Sequence, residues 1–345
     1  MAGLFFASFT PKNDIVLSDE PIKITPEGFY IASVVDERAE QGAIATLVVN
    51  TKNNKPETEK ADLQGGTAIA LSRFISRNLN KDTSLRAVHI SIKDFKLTES
   101  LLPNGGVDGR IQLSLSFGQP KDYGIQQLVA YQGGLHYIRP LANNQIVEAQ
   151  LRGIIKSGLV YFNNWMRVNI KDNPKLAKAV SFTFTDYNEQ PEGDTIYYAA
   201  ARPLTWKDFQ SKIRPPGPFS AVVMPNFGYN LTQEVNNGVI NVCLDLKTYV
   251  AKSDCWVGGN KDVYGLLHEQ RHFDIAKIIT RQFRQKILAA RLTPDTYEAF
   301  ISMQYLDSYR DMNALQKAYD KETRHGVFEQ QQAEWNKKID AMLKE

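Results

Sequence analysis

Apolar residues alternate with polar ones, or run together with β-branched and aromatic residues, over 22–24, 28–35, 43–49, 88–92 and 110–117, which predicts strands. Segments 128–131 and 135–138 flank Gln132-Gly133-Gly134 and read as a hairpin about that turn. The period lengthens to the helical one at Leu71, Phe74, Ile75 and Leu79, with Thr67 as an expected N-cap behind Gly65-Gly66. It does so again from Ile146 to Met166, where Gly158 is expected to break the helix. The polar stretch 52–62 reads as loop.

After a strand at 180–184, the polar run 188–194 is the expected domain boundary. Strands follow at 195–198 and 219–224, with a hairpin about Asn236-Asn237-Gly238. Beyond Gly258 and Gly259 the pattern is helical to the end: Tyr264, Leu267, Ile275, Ile278 and Ile279 share one face, and Phe328, Gln331, Trp335, Ile339 and Met342 another. An α+β chain of two domains is expected, residues 1–190 and 195–345, the second with a short antiparallel sheet followed by helices.

Composition narrows the classes. A net charge of +3 over 345 residues, with no dense Lys/Arg run, gives no reason to expect nucleic acid or a membrane surface as partner. No stretch is long and apolar enough to span a bilayer. Residues 1–10 are apolar and then turn polar, as in the tail of a signal peptide whose basic front is missing or in a buried first strand. Cys243 and Cys255 lie outside any C-x-x-C, which argues against a zinc-thiolate site and leaves a disulfide or two free thiols open.

The chemistry concentrates at His268-Glu269-Gln270-Arg271-His272, an H-E-x-x-H pattern within the helical period. Two histidines one turn apart project from the same face and can reach one metal ion. Glu269 points slightly off that line, where it can act as general base on a water rather than as a ligand. A catalytic zinc site needs a third protein ligand. The H-x-x-G-x-x-H continuation is absent, so that ligand must come from farther along, where Glu298 and Asp307 offer carboxylates and Tyr319-Asp320-Lys-Glu322-Thr-Arg-His325-Gly326 follows. His325 is the expected ligand, aimed inward by the glycine after it; Glu322, Asp320 and Tyr319 stand as alternatives, as ligands or as partners of ligands. His89 and His136 sit in strand patterns and read as packed or surface side chains.

Four ordered blocks, Leu204-Thr-Trp-x-Asp-Phe209, Cys255-Trp-Val257, Leu266-Leu-His-Glu-Gln-x-His-Phe-Asp-Ile275 with Arg281, and Tyr319-Asp-x-Glu-Thr-x-His-Gly326, resemble a bacterial group of predicted secreted zinc-dependent proteases first described as a domain of unknown function. The resemblance covers about residues 195–345. It implies a zincin-like fold, Zn2+ on His268 and His272, Glu269 as base, a role for the last block and export to the periplasm or cell envelope. Cys255 stands where the group leads one to expect Ser. The expected activity is hydrolysis of peptide bonds in a peptide or protein substrate. The rival readings are a non-catalytic envelope scaffold that keeps the fold and a metal-dependent amidase acting on cell-wall peptides. No role is legible for residues 1–190.

Overall fold

The computed structural model describes residues 14–51, 55–217 and 220–344. The apolar start 1–10, the first part of the 52–62 segment, Pro218 and Phe219 lie outside them. The chain divides into two compact units, Met1–Ile170 and Lys171–Glu345. The expected boundary at 188–194 falls too late. The strand after Ile170, at Ala179–Asp186, pairs along its whole length with Val239–Leu246 and so belongs to the second unit.

In the first unit, β1 (Phe29–Asp36), β2 (Ala45–Asn50), β3 (Pro56–Ala61), β4 (Arg86–Leu101), β5 (Gly106–Lys121) and β6 (Gly124–Pro140) form one sheet in the order β3-β2-β4-β5-β6, with β1 parallel to the first half of β4. Helices α1 (Thr67–Asn78) and α2 (Gln145–Asn169) complete the unit. α2 buries Leu151, Ile154, Ile155, Leu159, Phe162 and Met166, and the Phe162 ring stacks on Phe117 at 4.3 Å. That burial matches the helical period in the sequence.

Several expectations change. Residues 22–24 form no strand, although Ile22 is buried. The 52–62 segment contains β3, an edge strand whose exposed charged side chains hide any alternation. Thr67 is the first helical residue rather than the cap; Gly66 caps, and the Thr67 hydroxyl is held by Arg38 and Asp62.

Gln132-Gly133-Gly134 is no turn. β6 runs straight through it, because the Tyr131 side chain lies over Gly133 and occupies the space a Cβ would take. Gly158 does not break α2 either; a Cβ there would come within 3.0 Å of Leu115, so glycine permits close approach of helix and strand.

The same device recurs at Gly109, where a Cβ would sit 2.2 Å from Tyr137. Tyr137 cannot swing away freely, because its hydroxyl donates to Glu99 at 2.7 Å within the buried Glu99–Arg139 pair. Gly109→Ala is therefore expected to destabilise the protein by about 1–3 kcal/mol, as overpacking does, measured as a lower urea midpoint with the m-value unchanged.

In the second unit, β7 (Ala179–Asp186), β8 (Thr195–Tyr197), β10 (Asn226–Asn236) and β11 (Val239–Ala251) form one sheet about β11. It is mixed rather than purely antiparallel, since β7 runs parallel to β11. The expected hairpin is present: Asn237 and Gly238 both have positive φ, 51° and 77°, as a two-residue turn of this hand requires. β9 (Ala221–Val222) and β12 (Trp256–Val257) pair separately.

Three helices follow, α3 (Val263–Ala289), α4 (Tyr297–Thr323) and α5 (Glu329–Met342). α3 is central. Its Ala276, Ile279, Phe283 and Ile287 pack with Ile240, Val242, Leu244 and Leu246 of β11, while Ile275 and Ile278 meet Tyr319 of α4 and Trp335 and Ile339 of α5. No helix among the described residues is long and apolar enough to cross a membrane. Both cysteines are free thiols, and the buried Cys255 donates to the Ala251 carbonyl.

Candidate metal centre

α3 begins where the sequence caps it: the Asp262 carboxylate accepts from the Gly265 amide at 2.7 Å, and Trp206 donates its indole N–H to the Asp262 carbonyl at 3.1 Å. Trp206 is set in turn by a capping box between Thr205 and Asp208, which Arg202 holds through an ion pair. The Leu204–Phe209 block thus fixes the start of the helix that carries the histidines.

One turn into α3, His268, Glu269 and His272 are all buried, at 5%, 5% and 9% exposure, along the wall of a cleft of about 1090 Å3. From α4, Asp320 enters the same space. Its Oδ1 lies 3.0 Å from His272 Nε2 and 3.5 Å from His268 Nε2. Ligand atoms from these three residues lie within 4.8 Å of one another and could hold a metal ion.

The other ring nitrogens are committed elsewhere. His272 Nδ1 meets Gln316 Oε1, and the Gln316 amide donates at 2.9 Å to the His272 carbonyl, an atom that can only accept. The oxygen of Gln316 therefore faces the imidazole, which must carry its proton on Nδ1. His268 Nδ1 meets Gln332 Oε1 at 2.8 Å in the same way. Both Nε2 atoms are left with lone pairs, pointed at a carboxylate.

Three converging acceptors require protons or a cation between them. Burial opposes charge on His272, but the hydrogen bond and charge of Asp320 outweigh that, so its pKa is raised. Burial pushes the Asp320 carboxyl up, yet its contacts with His268 and His272 and the charge of His272 and His325 hold it well below the usual carboxylate range. Two imidazoles and a carboxylate, each with a lone pair turned to one point, fit a borderline divalent cation.

Glu269 is placed differently. It accepts from the Val223 amide at 2.8 Å, directly after β9, and burial raises its pKa, with His272 and His268 opposing.

The last sequence block resolves into separate parts. His325, the expected third ligand, is not in the cluster. It is mostly on the surface of the cleft wall, 42% exposed in its side chain, with Nδ1 3.2 Å from Asp320 Oδ1. The helix ends before it: Arg324 and His325 take left-handed conformations, and the His325 amide closes on the Asp320 carbonyl at 2.9 Å.

Glu322 faces the other way and accepts from Trp335 at 2.8 Å. Tyr319 is fully buried; its ring stacks on His268 at 4.8 Å and its hydroxyl donates to the His268 carbonyl. Glu298 and Asp307 are engaged with Tyr297 and Arg310. His89 is buried against Ser33 and His136 is exposed beside Asp108, as their strand settings predict.

Gly326 has φ +80°, and a Cβ on it would sit 3.2 Å from His268 Cγ. Gly326→Ala is expected to lower stability by about 1–2 kcal/mol from the left-handed backbone alone. It should also displace the His268 ring, seen as a lower thermal midpoint together with shifted imidazole resonances.

Asp320 was legible only as one alternative, and Gln316, Gln332 and Val223 were missed. The available signal was a polar stripe on α4: Gln316, Tyr319 and Asp320 recur at helical spacing and meet α3. Gln332 and Val223 had none, because they reach the histidine helix from other elements.

A family model described as a bacterial protein of unknown function (DUF922) matches residues 265–326. That stretch runs from the first turn of α3 to the glycine against His268, and so contains all three clustered residues and Glu269. No curated protein matches the chain.

Proposed function

We propose that residues 171–345 form a zinc-dependent peptidase, with His268, His272 and Asp320 as the zinc ligands and Glu269 as general base. The observation that carries this reading is the pairing of two functions on adjacent residues of one buried turn. His268 turns a bare Nε2 toward Asp320, while Glu269, with its pKa raised by burial, holds to strand β9 beside the same cleft. Zinc bound there would supply Lewis acidity, which makes water a nucleophile near neutral pH and polarises a carbonyl.

Glu269 takes the proton of the attacking water and returns it to the leaving amine, and its exclusion from bulk solvent keeps that proton in the site. β9 is paired only with β12 among the described strands, so an extended substrate chain has a strand edge to lie along next to the base. His325 stays on the cleft wall as a group facing the substrate. The order of sheet then helices supports a zincin-like fold.

Metal analysis joined to cleavage profiling on a mixed library of peptides and cell-wall fragments tests the reading. One zinc per chain and cleavage of ordinary peptides is the expected result. Cleavage confined to cell-wall fragments would move the activity to a metal-dependent amidase. A zinc-loaded protein that cleaves nothing would leave the scaffold reading.

A further inference from the structure

His268 is held from a part of the chain that lies outside the family match, and the source of its orientation can be traced atom by atom. Gln332 on α5 is 1% exposed and uses its whole amide. Its Oε1 accepts from His268 Nδ1 at 2.8 Å, and its Nε2 donates to the Tyr319 hydroxyl at 2.6 Å and to Asn336 Oδ1 at 3.0 Å.

The two ends of an amide are interchangeable in shape, so only its partners can fix which way it faces. Two anchors fix this one. Arg271 Nε, which can only donate, meets Asn336 Oδ1 at 3.1 Å, so an oxygen of Asn336 faces Gln332 and Gln332 must present its NH2. The Arg271 guanidinium is itself held by Asp274 at 3.0 Å and Asp340 at 2.7 Å.

On the other side, the His268 backbone carbonyl can only accept. The Tyr319 hydroxyl therefore donates to it and turns a lone pair to Gln332, which again must present NH2. With both anchors agreeing, the oxygen of Gln332 faces His268, Nδ1 carries the proton and Nε2 is bare.

We propose that Gln332, anchored by Asn336 and Arg271, is a positioning residue that locks His268 in the tautomer a metal ligand needs, so that α5 is a working part of the metal centre. This deepens the peptidase reading and rests on it. His272 has its own local anchor in Gln316, which makes the two ligands separable by experiment.

The test uses the full chain, first without metal, with long-range proton–nitrogen NMR of the imidazoles at a pH where His268 is neutral. The wild type is expected to show His268 protonated on Nδ1. Gln332→Met keeps the length and removes the acceptor. It should give a mixture of His268 tautomers, leave the His272 signals in place and weaken zinc binding by about 10–100-fold in chelator competition.

Asn336→Asp, which keeps an oxygen for both Arg271 and Gln332, should preserve the wild-type tautomer; Asn336→Leu should not. If Gln332→Met fails to fold, Gln332→Glu keeps the acceptor and must retain the Nδ1 proton. The proposal is overturned by a wild-type His268 protonated on Nε2, by a Gln332→Met protein with the wild-type tautomer and zinc affinity within about twofold, or by loss of the Nδ1 proton in Gln332→Glu. A chain that binds no zinc would sink the peptidase reading, while the metal-free tautomer still decides the role of Gln332.

Discussion

Glu269→Gln is expected to keep the fold and the bound zinc and to cut kcat/KM by about 10²–10⁴-fold, the usual worth of a positioned general base. Glutamine retains an oxygen that can accept from the Val223 amide at the same place, so the β9 contact survives. What it lacks is the carboxylate that takes a proton. The variant also isolates a stability effect whose sign is opposite to that of most carboxylates. Burial raises the Glu269 pKa in the folded chain, so between the unfolded value of about 4.3 and the folded one the native state binds more protons than the unfolded state.

Stability from this group is therefore intact below the unfolded value and falls as pH rises through the folded one. Glu269→Gln removes that fall. The metal-free variant should be more stable than the wild type at neutral pH and closer to it in acid, read from denaturant curves at several pH values. A zinc-loaded variant with wild-type turnover would sink Glu269 as the base.

Asp320→Ala is expected to lose the metal, with zinc affinity reduced well beyond the roughly 10–100-fold that follows loss of a ligand's outer partner. Asp320 supplies the one carboxylate of the cluster and lies within 3.5 Å of both Nε2 atoms. His325→Ala should retain one zinc per chain at near wild-type affinity, since the cluster that could hold a metal is His268, His272 and Asp320, and the His325 side chain is 42% exposed beside it. Metal content after dialysis against a weak chelator separates the two variants. A His325→Ala protein that loses its zinc while Asp320→Ala keeps it would exchange their roles.

The parts of this architecture that were legible in the sequence are those set by local rules. The helical period of α3, the Asn237-Gly238 turn and the buried stripe of α2 each depend on residues close together in the chain. The errors arise where a distant partner overrides the local signal. Gly133 sits inside a strand because an aromatic side chain covers it, and Gly158 inside a helix because a sheet approaches it.

β3 has no apolar alternation to betray it, since it is an exposed edge. At the site, the two histidines and Glu269 follow from spacing on one helix. That Asp320 rather than His325 joins the histidine cluster follows from the α4 helix ending at Thr323: the carboxylate is still on the helix, and His325 is already in the left-handed turn beyond it. Sequence shows the glycine that ends the helix but not the residue at which the direction changes.

The division of the cluster between α3 and α4 has a consequence for how the chain holds together. His272 and Asp320 are separated by 48 positions, and the hairpin of helices between them is the loop that their contact closes. An ion shared by both ends would act as a removable clasp: bound by the folded unit and released by the unfolded chain, it would add its binding free energy to the stability of the fold. In a protein whose two cysteines stand as free thiols, such a clasp would place the stapling of this unit under the control of metal supply rather than of oxidation.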